Sequence, residues 1–248
     1  MRIAIISDIH GNDFAFEKVE ADIQTQGVDQ IVCLGDAIQG GPQPAKTVSR
    51  LRRLNCPVVM GNADDWMIAG RGTEKENIPL ERLKKMEAIR EWSLAQLTED
   101  DKQFIASFQP TITIPLEHGL DLLCFHASPT DYEDAILPTI PEEDFQKFLG
   151  AFDKNILTGG HTHTQQIRRC GKNFFFNPGS VGLPFNSYQN GQFQVDSWAE
   201  YAILTVKDGI ADVQFRRLPF NPKDLMDAYR ETGRPYLEDV FSQYRQES

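Results

Sequence analysis

Two aspartates, four histidines and an asparagine stand at the ends of short apolar runs, and these residues are the best equipped for chemistry. Ile3 to Ile6 gives way to Ser7-Asp8-Ile9-His10-Gly11-Asn12, and Gln30 to Leu34 gives way to Gly35-Asp36. Pro57 to Met60 is followed by Gly61-Asn62, Leu120 to Phe125 by His126, and Ile156 to Thr158 by Gly159-Gly160-His161-Thr162-His163. In extended backbone, residues two apart point the same way, so Asp8 and His10 can aim at one ion. A lone histidine or a Gly-Asp pair after a strand is ordinarily just a turn. Five runs that all end in carboxylate, amide or imidazole donors point instead to a metal site. Such donors without thiolate suit Mn, Fe, Zn, Co or Ni.

The elements that carry these residues follow from the apolar spacing. Ile3 to Ile6 is short and β-branched and reads as a buried strand. Open α/β sheets place ligand sites at the carboxyl ends of such strands. Phe16, Val19 and Ile23 share a helix face that Gly27 is placed to cap. Strand, helix, strand predicts a right-handed βαβ unit with parallel strands, which sets Asp36 beside Asp8. Val48, Leu51 and Leu54 predict a second helix after Gly40-Gly41-Pro42, and Pro57 to Met60 a third strand. Asp65 to Pro79 has no periodicity and reads as a loop over the strand ends.

Further along, Leu83, Met86 and Ile89 mark an amphipathic helix, and Thr98-Glu99-Asp100-Asp101 opens another with a capping-box pattern. Ile112 to Leu116 and Leu120 to Phe125 form a hairpin about His118-Gly119, which makes His118 a turn residue. Phe145, Phe148, Leu149 and Phe152 keep helical spacing. Phe174 to Phe176, Tyr201 to Val206 and Ala211 to Leu218 read as antiparallel strands, and Asn221-Pro222 starts a final helix. No repeat or linker divides the chain. The expectation is an α/β fold in one domain, residues 1–248, with two β-sheets flanked by helices.

Composition narrows the partners. The chain has 248 residues, enough for a substantial core, with 40% hydrophobic and 25% charged residues, as in an ordinary globular protein. A formal net charge of −11 argues against a nucleic-acid polymer or an anionic membrane as main partner. No apolar run reaches about 18 residues, so no membrane span is expected. The N-terminus has no basic region before a long apolar stretch, so no secretion signal is expected there. Cys33, Cys56, Cys124 and Cys170 are widely spaced, and two of them lie inside apolar runs, which suggests buried thiols in the cytoplasm.

Taken in order, Asp8-x-His10, Gly35-Asp36 with Gly40-Gly41-Pro42, Gly61-Asn62, His126 and Gly160-His161-Thr162-His163 resemble the motifs of the calcineurin-like metallophosphoesterase superfamily. Asn177-Pro178-Gly179-Ser180-Val181-Gly182 resembles a further element of its compact bacterial and archaeal, phosphodiesterase-type members. The resemblance implies a pair of β-sheets flanked by helices, with two divalent metal ions at the strand ends. One ion would be held by Asp8, His10, Asp36 and His163, and the other by Asp36, Asn62, His126 and His161, with Asp36 bridging. Asp36, Asn62 and His161 form the implied catalytic set. The chemistry implied is attack on phosphorus by a hydroxide that bridges the two metals, whose pKa falls from 15.7 toward roughly 7. Two divalent ions, two aspartates and that hydroxide sum to about +1, which attracts phosphate even in an acidic protein.

The expected substrate is a small phosphorylated molecule, nucleotide-like, cleaved at a phosphodiester or phosphoanhydride bond. A phosphomonoester, a phosphoprotein, or a non-catalytic metal-binding scaffold of the same fold are the alternatives. Backbone N–H groups near Gly11 and the Asn12 side chain are candidate phosphate contacts, although Asn12 equally suits a helix N-cap. Phe185, Tyr188, Phe193 and Trp198 are candidates for stacking on a base. Many relatives carry histidine directly after the Gly-Asn motif, where this chain has Ala63. Alanine cannot protonate a leaving oxygen, so acidic leaving groups are favoured over simple alkyl ones. Rates for esters of graded leaving-group pKa should therefore fall steeply as that pKa rises, whereas a flat dependence would remove this inference.

Overall fold

The computed structural model describes residues 1–70, 78–152, 154–189 and 192–244. In chain order the strands are β1 (Arg2–Ile6), β2 (Gln30–Cys33), β3 (Ile112–Pro115), β4 (Asp121–Cys124), β5 (Ile156–Thr158), β6 (Gln166–Cys170), β7 (Asn173–Asn177), β8 (Phe185–Gln189), β9 (Gln192–Val195), β10 (Trp198–Lys207) and β11 (Ile210–Pro219). The helices are α1 (Asp13–Thr25), α2 (Pro44–Leu54), α3 (Asn62–Ala69), α4 (Leu80–Ala95), α5 (Glu99–Ala106), α6 (Glu142–Leu149), α7 (Pro222–Thr232) and α8 (Leu237–Phe241).

One sheet runs β11-β10-β1-β2 and the other β3-β4-β5-β7-β6, while β8 and β9 pair by themselves. The strand alternation of β1 explains the layering. Ile3 and Ile5 turn inward and pack with Leu122, Cys124, Ile156 and Phe176 of the second sheet. Ala4 and Ile6 face the other way, onto Phe16 and Val19 of α1 and Val48 and Leu51 of α2. On the far side, Leu123, Phe125 and Phe175 cover Phe145 and Leu149 of α6. The result is helix, sheet, sheet, helix, the expected α/β fold of two sheets flanked by helices.

The βαβ unit forms as expected, with β1 and β2 parallel and Ile6 opposite Cys33. In the second sheet β4, β5 and β7 are parallel. The carboxyl ends of β1 and β2 in one sheet and of β4 and β5 in the other therefore lead into the loops that carry the candidate ligands. The capping box at Thr98 is formed, with Asp101 as its partner. Around His118, at φ +59°, the expected hairpin turns from β3 into β4.

Three expectations need correction. Pro57 to Met60 makes only isolated bridges, Val58 with Cys33 and Val59 with Gln109, because the pairing on each side lasts a single residue. The loop expected from Asp65 begins instead as α3, with Asp64 and Asp65 in its first turn, where a helix favours negative charge. Gly70, at φ +66°, closes it, and residues 71–77 lie outside the described residues. β7 is an interior strand, parallel to β5 and antiparallel only to β6, which was not foreseen. The expected helix at Leu83, Met86 and Ile89 forms as α4, with these three residues half-buried and Ser93 alone of the helix fully buried.

Candidate metal centre

The loops after β1 and β2 are sewn together by backbone hydrogen bonds. Asp8 N–H donates to Gly35 O at 3.0 Å, His10 N–H to Asp36 O at 2.8 Å and Gly11 N–H to Ala37 O at 2.9 Å. Within the second sheet Gly160 N–H donates to His126 O at 2.7 Å, and the two sheets are joined by His161 N–H, which donates to Asp8 Oδ2 at 3.1 Å. Of the nine non-glycine residues with positive φ among the described residues, five are Asp8, His10, Asp36, His161 and His163. Left-handed backbone costs a non-glycine residue on the order of 1–3 kcal/mol, so its concentration here marks a site whose side-chain directions override backbone preference. Close approach also dictates glycine at 160, where a Cβ would run into Ser7 Oγ and Asp8 Oδ2.

All seven candidate ligands converge. Asp8, His10 and His163 place one ligand atom each within 4.8 Å of one another, and Asp36, His126 and His161 do the same. Asn62 joins the second group, its Oδ1 lying 3.0 Å from His126 Nε2 and 3.1 Å from His161 Nδ1. Asp36 lies between the groups. Its Oδ1 accepts from Ala63 N–H at 2.8 Å, while Oδ2 sits 3.7 Å from His10 Nε2 and 3.5 Å from His126 Nε2.

Three rings are locked from behind. Nδ1–H of His10 donates to Gln39 O at 2.8 Å, that of His126 to Leu34 O at 2.8 Å and that of His163 to Leu183 O at 2.6 Å. Only a donor can satisfy a carbonyl, so each Nε2 turns toward the cluster, as metal-ligating histidines require. His10 Nε2 and His163 Nε2 then face each other at 3.1 Å. Two nitrogens each about 2.1 Å from one ion and at right angles to it are about 3 Å apart. Asp8 Oδ1, fully buried and 3.2 Å from His163 Nε2, has no hydrogen-bond partner. Facing lone pairs and an orphaned carboxylate oxygen are what a cation would reconcile, so the residues fit a metal.

The electrostatics agree. Burial opposes ionisation of Asp36, but the His126 ring beside it wins and holds the carboxyl far below its usual range. Burial likewise pushes His126 down, yet Asp36 outweighs it and lifts the ring to about 9. His161, buried and next to His126, falls to about 4. A proton on His126 thus stands where the buried carboxylates call for positive charge.

The sequence reading missed Asp64. It is fully buried, and its carboxylate accepts from Ala37 N–H at 3.0 Å and Ile38 N–H at 3.1 Å, which fixes the turn that carries Asp36. Its signal was its place two residues after Asn62, opening α3.

The candidate phosphate contacts Gly11 and Asn12 have other partners in the structure, and of the two readings of Asn12 the helix cap is formed. Asn12 is 1% exposed; its Oδ1 accepts from Ala15 N–H to cap α1, and its Nδ2 donates to Gly182 O. Gly11 N–H is spent on Ala37 O. Both residues build the loop. The aromatic group also disperses. Phe185 stacks on His163 with ring centroids 4.2 Å apart, Trp198 donates to Glu200 at 2.9 Å, and the Tyr188 and Phe193 side chains lie outside those described.

What does adjoin the ligands is a cavity of about 360 Å³ that reaches His10, Asn62 and Ala63. Trp66 of α3, Met86 and Ile89 of α4, and residues of and after α7 are among those that wall it. This is where the outer face of α4 points. Asp64→Ala should weaken metal binding by about 10–100-fold, the usual cost of losing an outer support. Competition against a chelating dye measures it, and unchanged affinity would remove Asp64 from the support of the site.

The chain resembles known proteins over most of its length. The description "Calcineurin-like phosphoesterase superfamily domain" matches residues 1–209. The protein MJ0912 of Methanocaldococcus jannaschii is 28% identical over 221 residues, covering 83% of this chain and 86% of that one. Phosphodiesterase YfcE of Escherichia coli strain K12 is 27% identical over 194 residues, covering 74% and 81%. Among solved structures, a metallophosphoesterase from Sphaerobacter thermophilus superposes with a TM-score of 0.69 at 27% identity, covering 98% of both chains. The chain belongs to the calcineurin-like phosphoesterase superfamily, a family of metal-dependent hydrolases.

Proposed function

We propose that the chain, acting as one domain over residues 1–248, is a dinuclear metal phosphoesterase for a small, nucleotide-like phosphodiester or phosphoanhydride. The observation that carries this reading is Asp36 Oδ2, which lies 3.7 Å from His10 Nε2 and 3.5 Å from His126 Nε2 with a candidate ligand group on each side. Asp8, His10, Asp36 and His163 would hold one ion, and Asp36, Asn62, His126 and His161 the other. Mn, Fe, Zn, Co and Ni all suit these donors. When bound, such a pair supplies hydroxide at neutral pH and draws charge from phosphoryl oxygens.

The chain's own residues do the rest. Hydrogen bonds from Nδ1 keep His10, His126 and His163 aimed, and Asp64 keeps the Asp36 turn in place. Ala63 lends its N–H to Asp36 and offers no acid to a leaving group. A cavity of about 360 Å³ lies at the small end of the usual range for ligand sites, which favours a small molecule over a phosphoprotein or a polymer. No described helix is long and apolar enough to cross a membrane.

The test is to strip the purified protein with chelator and reload it with one metal at a time, manganese first. Each form is then assayed on phosphodiesters, phosphomonoesters and dinucleoside polyphosphates. Activity should return with metal and favour diesters or anhydrides, and Asp36→Asn should lose about 100-fold or more in kcat/KM along with metal occupancy. A variant that holds two metals and turns over at the wild-type rate would contradict the bridging role.

A further inference from the structure

The cavity beside the metal ligands has a feature that metal binding leaves unexplained. Two arginines line it, Arg82 and Arg234, and neither makes an ion pair with a carboxylate among the described residues. Arg82 is an exposed residue of the first turn of α4. Arg234 is only 8% exposed, and its donors go to carbonyls alone: Gly40 O at 2.7 Å, Pro235 O at 2.8 Å and Tyr236 O at 3.4 Å. In a chain with 36 acidic and 25 basic residues, carboxylates are plentiful, and Arg50, Arg53, Arg168, Arg216, Arg217 and Arg230 all have one. The nearest counter-charge to Arg234, Asp239, acts on it from beyond ion-pair distance and is itself bound by Lys85, so this buried cation is only partly compensated.

The remaining lining is of two kinds. Trp66, Met86, Ile89, Leu183 and Val240 give an apolar wall. Gln39 is 7% exposed, and its Oε1 is buried without a hydrogen-bond partner. An apolar wall suits a base, an unpaired amide oxygen suits a hydroxyl or amino donor, and the Arg82 guanidinium, with Nη2 of Arg234 beside the same cavity, suits phosphoryl oxygens. Arg234 and Val240 lie after residue 209, where the match to the superfamily ends, so this end of the cavity belongs to the part of the chain most free to set specificity.

We propose that Arg82 and Arg234 form a subsite for a second phosphoryl group, which makes the substrate class a nucleotide phosphoanhydride. The inference rests on the phosphoesterase reading above and deepens it. In the reaction, water adds to the phosphorus at the ligand cluster, a new P–O bond forms, the P–O bond to the second phosphoryl group breaks, and one proton passes to solvent. The leaving oxygen then carries charge that the guanidinium groups neutralise. This also accounts for Ala63: a phosphate leaving group held by arginine needs no imidazole to protonate it.

The experiment compares wild type, Arg82→Ala and Arg82→Lys, all manganese-loaded. Arg82 is exposed, so folding is not at stake. Calorimetry with α,β-methylene-ADP and with AMP gives the affinity ratio between two phosphoryl groups and one. Kinetics give the ratio of kcat/KM for diadenosine tetraphosphate to that for bis(p-nitrophenyl) phosphate. Both ratios should fall about tenfold in Arg82→Ala, with partial recovery in Arg82→Lys. Ratios equal to wild type, or a wild-type protein that binds AMP as tightly as α,β-methylene-ADP, would overturn the subsite. A wild type that cleaves neither ester nor anhydride with any metal would defeat the phosphoesterase reading, and calorimetry would still decide the subsite.

Discussion

The hydrogen bonds that tie residues 8 to 11 to residues 35 to 37 are the interaction on which the rest depends. They hold Asp8, His10 and Asp36 in left-handed backbone, which is uncommon for residues other than glycine. The register of β1 on β2 brings the two loops level, since Ile6 lies opposite Cys33 and each strand then continues into its loop. A slip of one residue would turn Asp8 and Asp36 away from each other.

The centre is shared between two sheets. Asp8, His10 and Asp36 follow strands of the first, and His126, His161 and His163 follow strands of the second. Their mutual placement is therefore set by the apolar layer between the sheets, in which Ile3, Ile5, Leu122, Ile156 and Phe176 interlock. Each fully buried side chain of this size contributes about 1.5–3 kcal/mol, enough for a few contacts to offset one left-handed residue. The short-range tie from His161 N–H to Asp8 only trims what that core has already aligned.

The sequence was legible where the chemistry needs side chains in a row. All seven candidate ligands stood out in the sequence, because each follows a short apolar run, and four of the five runs are strands. The parallel pairing of β1 and β2 was legible for the same reason. Less could be read where a residue's role depends on what lies behind it. Asn12 has the chemistry of a phosphate contact, yet its amide is consumed by the α1 cap and by Gly182 O. Asp64 looked like an ordinary acidic residue, although it anchors the turn under Asp36. Met86 and Ile89 kept the spacing of a core face while lining a cavity, because periodicity shows that a face is apolar and not what it faces. Arg234 carried no signal at all, since its place beside His10 comes from the chain's return after β11.

The central claim is that two metal ions share Asp36. Diffraction from manganese-soaked crystals at the manganese absorption edge tests it most directly, because anomalous peaks locate ions without reference to activity. Two peaks are predicted on either side of Asp36 Oδ2, one among Asp8, His10 and His163 and one among Asn62, His126 and His161. A single peak, or two that do not both border Asp36, would contradict it.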